Sequence, residues 1–117
     1  MDSILTSIKK LLGITKEETS FDQDLIIHIN SVFSILTQLG VGPSEGFFIE
    51  DDSAIWGDFL EDSANLELVK TYVYMKVRLM FDPPTGSAVM ESMNKMISEL
   101  EWRINVTVDP GENQNGG

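Results

Sequence analysis

A chain of 117 residues, 42% apolar and 23% charged, is long enough to bury one core and has globular proportions. No run approaches the roughly 18 apolar residues of a membrane span, and the absence of cysteine excludes disulfide frameworks, thiolate zinc sites and thiol nucleophiles. The net charge of −11 is unevenly placed: between Lys16 and Lys70 there are twelve Asp and Glu and no Lys or Arg, which argues against a protein that grips DNA phosphates.

The plain reading of that acid is a solvated surface. The opening MDSILTSIKKLLG lacks the order of a secretory signal, which with the missing cysteine favours an intracellular site. Asp2 or Ser3 is placed to cap a first helix in which Ile4, Leu5, Ile8, Leu11 and Leu12 share a face, with Lys9 and Lys10 off that face and Gly13 at the stop. Two lysines are too few to hold such a segment on a membrane, so its stripe is assigned to the core.

After a polar link from Thr15 to Ser20, Phe21 and Asp22 open a second helix with a staple in which Phe21 meets Ile26. Leu25, Ile29, Val32, Leu36 and Leu39 form its buried stripe, Ile26 and Phe33 widen it, and Gly40 ends it. The opposite side holds Ile27, Asn30, Ser31, Ser34, Thr37 and Gln38, all uncharged. A solvated helix face usually carries Lys and Glu, whereas charge depletion marks surfaces covered by another subunit, so these six residues are the candidate inter-subunit contact.

Residues 41–53 read as a loop, with Phe47, Phe48 and Ile49 as a sticky island tucked under the domain. Its acid run Glu50, Asp51 and Asp52 lacks the glycine and glutamate spacing of a calcium loop, since Trp56 and Asp62 occupy those positions. Asp52 or Ser53 is then expected to cap a short helix over 54–60, and 62–65 to break it.

The central element is the next one, about residues 65–81. Leu66, Val69, Val73, Val77 and Met80 form one apolar stripe and Leu68, Tyr72, Met75 and Leu79 a second, which implies two sets of neighbours. Asp82, Pro83 and Pro84 stop it, because proline lacks the N–H that the helix ladder needs. A last helix restarts at 85–87 and runs to about Ile104, with Val89, Met93, Met96, Ile97 and Leu100 on one face and Glu99 and Arg103 spaced for an ion pair. Trp102 falls on its back, either as a ring lying flat on the domain or as an anchor for a partner. Ile104, Val106 and Val108 alternate like a strand that either frays or adds to a sheet edge on another protein.

Chemistry for catalysis is missing. With one histidine, His28 on the shoulder of the second helix, and no phosphate loop or paired-histidine motif, no nucleophile and base come together, and neither enzyme activity nor a cofactor is expected. The expected fold is all-α: one bundle of four to five helices over 1–104, followed by an extended tail over 105–117.

The segments LLGI, DLIIHINSVFSILTQLGV, WGDFL, VKTYVYMKVRLMFDPP and SAVMESMNKMISELEWRI together resemble the head–tail connector (adaptor) proteins of tailed bacteriophages and prophages. The likeness runs from about Ile8 to Ile104 and is most specific at FDPP (81–84) and ELEWRI (99–104); Gly86 departs from it where a small polar residue belongs. It implies a structural protein whose copies, about twelve, form a ring beneath the portal and leave a passage for DNA. Its partners would be the portal protein, a tail-side or head-completion protein and further copies of itself. It would sit in the virion after assembly in the host cytoplasm. On that resemblance the segment holding Ile104, Val106 and Val108 becomes the candidate portal dock, with Trp102 beside it a candidate partner anchor, and Glu50, Asp51 and Asp52 candidate acids facing the channel, where like charge keeps DNA from sticking. A reading of another class is a small acidic regulator that binds one partner through Trp102 or the Phe47–Ile49 island.

Overall fold

The computed structural model describes residues 3–61 and 63–108, with the backbone alone at 63, 64, 107 and 108. Asp2, Asp62 and the tail from 109 onward, each given a part above, lie outside the described residues. Those residues form α1 (Ile4–Leu11), α2 (Asp22–Gln38), α3 (Trp56–Phe59), α4 (Ser63–Phe81) and α5 (Ser87–Val108). The all-α class follows the sequence.

α4 is central because its side chains are apolar on two sides. Val69, Tyr72, Val73, Met75 and Val77 are buried, with α2 packed on one side and α5 on another. Burial of each such side chain contributes roughly 1.5–3 kcal/mol before entropy is set against it. Asp82 still donates its N–H to the Arg78 carbonyl at 2.8 Å, and the two prolines then end the ladder. From α2, Leu25, Ile26, Ile29, Val32, Phe33 and Leu36 enter the core as their spacing predicts.

An aromatic group closes the core beneath the 41–55 loop. Phe33 lies 4.6 Å from Phe59, 5.2 Å from Phe47 and 6.3 Å from Trp56, centroid to centroid. The Trp56 indole N–H donates to Ser7 Oγ at 2.8 Å, joining α3 to α1. Gly42, at φ +82, passes so close to the Phe59 ring that a Cβ there would run into it. The start of α1 is tied to the same place, since Ile4 N–H donates to the Ala54 carbonyl at 2.9 Å.

Six local expectations are corrected. Lys9 lies inside rather than off the buried face of α1: it is 3% exposed, pairs with Asp22 at 2.9 Å and donates to the carbonyls of Lys16 and Glu18. Leu11 is exposed instead. The cap of α3 comes not from Asp52 or Ser53 but from Asp58, whose carboxylate accepts the Ile55 N–H at 3.0 Å, so the helix is shorter than predicted. α4 begins at Ser63 and holds Asn65 within it, where a break was expected.

The fifth correction is at the end of α5, which stays helical through Val108 instead of becoming extended at Ile104. Met93, Ile97, Leu100 and Ile104 continue one 3.6-residue stripe, and burial of Ile104 outweighs the strand preference of β-branched residues. Val89 and Met96, placed on that stripe by the sequence, are more than half exposed.

Candidate functional site

On α2 the uncharged face divides into residues already engaged and residues that are not. Asn30 is engaged: its side chain donates to the Ile49 carbonyl at 2.9 Å and accepts the Ile49 N–H at 2.7 Å, pinning the loop to the helix. Thr37 turns its hydroxyl onto the Phe33 carbonyl one turn back. Ile27 is 61% exposed, and Ser31, Ser34 and Gln38 are exposed beside it.

Pinning Ile49 has a consequence for its neighbours. Phe47 packs on Phe33 and Ile49 is buried, so Phe48 between them faces out, 67% exposed. The island is therefore tucked under the domain at its two ends only. The signal for this was in the sequence, because successive side chains of an extended segment face opposite ways. Phe48, with Glu45, Gly46 and Phe47, forms one wall of an open groove whose other wall is Asn30, Ser34, Thr37 and Gln38.

A second exposed surface lies on α5. Trp102 is 66% exposed and Val106 42%, so most of the Trp102 side chain is open to solvent. Ile104 does not belong with them. It is 3% exposed and lines a small apolar recess with Val41, Leu60, Leu68 and Val69, so it is a core residue rather than a docking one. The Val108 side chain lies outside the described residues. Sequence reasoning also missed what holds α5 in place: the buried Tyr72 hydroxyl donates to Glu101 at 2.6 Å, and burial, aided by that carboxylate, pushes the Tyr72 phenol well above its usual range.

Glu50, Asp51 and Asp52 are all exposed, on the loop that Asn30 holds. Asp51 accepts from the Ser53 hydroxyl at 2.6 Å and the Ser53 N–H at 2.8 Å, and these bonds hold its carboxyl below the usual range. Among the described residues no three His, Asp or Glu side chains gather as a metal site, and no helix is long and apolar enough to cross a membrane. His28 is partly covered on the shoulder of α2. The arrangement thus leaves two exposed surfaces beside a solvated acidic loop.

The phage connector protein family matches residues 4–111, nearly the whole chain. The chain belongs to that family. No similarity to a curated protein or to a solved structure was found. Membership gives this phage connector a structural role, exercised through contacts with other phage head and tail proteins, and points to the virion as its place.

Proposed function

We propose that this connector is the head–tail adaptor of a tailed phage, whose copies form a ring between the portal and a tail-side or head-completion protein around a channel for DNA. The observation that carries the reading is the outer face of α2, free of charge from Ile27 to Gln38 and apolar at Ile27, on a domain whose core is already closed. Such a face buries well against another subunit and poorly explains itself in water. The exposed side of α5, with Trp102 and Val106, is the second contact surface, and the end of that helix leads toward the portal. Val108 remains part of this proposal. The acids Glu50, Asp51 and Asp52 line the DNA passage, where their charge repels phosphate and offers no gain from counterion release. The ring matures in the host cytoplasm and remains at the head–tail junction of the virion.

Co-sedimentation of the full-length chain with portal rings of the same phage tests this. Many copies per portal ring are expected, with a chain ending after Val108 and a Val106→Asp variant locating the dock. Only one or two copies bound would favour a regulator of a single partner, and no binding to intact portal would remove the adaptor reading. If neutralising Glu50, Asp51 and Asp52 changed neither assembly nor genome ejection, those acids would lose their place in the channel.

A further inference from the structure

The two exposed surfaces are unlike, and they lie on different flanks of the molecule. α4 packs against both α2 and α5 and stands between them. Ser34 and Gln38 lie on the side of α2 away from its buried stripe, and Trp102 lies half a turn round α5 from Met93 and Ile97. Charge divides along the same line. The loop beside α2 carries Glu45, Glu50, Asp51 and Asp52 with no Lys or Arg, whereas α5 carries Lys95 and Arg103 among Glu91, Glu99 and Glu101.

Two modes of self-association are then open. In an isologous pair, α2 faces α2 across a two-fold axis, and Glu45 at the groove, with the other acids of its loop, is set against the same acids of the second copy. Repulsion opposes that pairing. A heterologous contact sets the acidic flank of one copy on the α5 flank of the next, where Lys95 and Arg103 offset most of the acid, and it repeats from copy to copy as a closed ring requires.

Shape agrees with charge. The groove between α2 and Phe48 has a volume of about 470 Å³, within the roughly 300–1,000 Å³ of sites that accept compact organic groups. Its walls combine the rings of Phe47 and Phe48 with the polar ends of Ser34 and Gln38. An indole needs that combination, an apolar slot with an acceptor for its N–H. Trp102 is the exposed member of the two tryptophans, Trp56 being 1% exposed.

We propose that the groove between α2 and Phe48 in one copy receives Trp102 of the next copy. The proposal rests on the ring reading above and gives the α2 face its partner.

With no native cysteine, disulfide trapping reads the contact directly. Ser34 and Ser98, one turn before Trp102, are both exposed, so cysteines there leave the fold intact. In the assembled state, formed by the full-length chain alone or on portal rings, oxidation of the Ser34→Cys/Ser98→Cys double variant is expected to give a ladder of linked dimers, trimers and higher species. Each single variant is expected to give none. Assembly of the unsubstituted chain should shift the Trp102 emission to the blue, a shift that Trp102→Ala abolishes while Trp56 still reports the fold. Linked dimers from Ser34→Cys alone, or an assembly with no ladder, would overturn the face pairing and leave the ring standing. Failure to assemble under either condition would overturn both.

Discussion

Between α4 and its two neighbours the joins are made by area, through buried side chains such as Val69, Val73 and Val77 of α4, Ile29 and Leu36 of α2, and Met93 and Ile97 of α5. From α1 through α3, packing by Ile4, Leu5, Ile8 and the Phe33, Phe47 and Phe59 rings is fixed in place by single polar groups: Lys9 on two carbonyls and Asp22, Asn30 on both backbone groups of Ile49, Trp56 on Ser7. Area tolerates substitution, because a lost methyl group is one loss among many. A polar clamp does not, since removing it strands buried partners that water cannot reach. The first region fixes the shape, and the second fixes where the loop and its exposed Phe48 stand.

The largest break should come at Lys9. In Lys9→Met the stem is kept but Asp22 loses its cation and the carbonyls of Lys16 and Glu18 lose their donor, so urea unfolding should show a loss of about 3–5 kcal/mol. Asp22→Asn in the same chain should recover part of it. Next is Gly42→Ala, which combines a left-handed backbone, φ +82, with a Cβ driven into the Phe59 ring. Strain and overpacking together predict roughly 2–4 kcal/mol. A loss under 1 kcal/mol at either position would mean that the polar and turn-bound region yields as easily as the layered one.

The difference between the regions is also the difference between what the sequence told and what it hid. The stripes of α2 and α4 repeat every three to four residues, and burial follows such a repeat without reference to any other element. Lys9 carries no comparable mark. A lysine reads as surface, and its acceptors are backbone carbonyls seven and nine residues away, which no side-chain pattern records. Ile104 fits two periods at once, alternation with Val106 and a helical stripe with Leu100 and Ile97; only the neighbours it meets, Val41 and Leu68 among them, decide between the two. Trp102 and the charge-free face of α2 were legible because each breaks the rule for its position, a large apolar ring and an uncharged strip where water should be.

Smaller effects sharpen the contrast. Asn30→Ala leaves the buried Ile49 N–H and carbonyl without partners, for about 1–3 kcal/mol, and should raise hydrogen exchange in the 47–50 loop while α4 amides stay protected. Tyr72 tests the layered region through pH. Its folded pKa lies above the ordinary value of 10.0, so between the two the folded state holds a proton that the unfolded state has released. The stability from the Tyr72–Glu101 bond is fully present below pH 10 and falls as pH rises above it, by up to about 1.4 kcal/mol per pH unit. Tyr72→Phe should lack that extra alkaline slope, and an unchanged slope would place the proton release elsewhere.

The least effect on stability should accompany the greatest effect on assembly. Ile27→Glu with Ser34→Glu alters two exposed positions that make none of the clamps described, so the unfolding free energy should move by no more than about 0.5 kcal/mol. The same pair places two carboxylates on the face proposed to be covered by a neighbour, where each must be desolvated without a partner. Sedimentation should therefore find a folded monomer where the unsubstituted chain assembles. Asn30, one turn from Ile27, supplies the internal contrast, because its loss softens the loop yet leaves the face uncharged. If the double glutamate variant assembled normally while Asn30→Ala did not, the contact would lie on the loop that carries Phe48 and not on the helix beneath it.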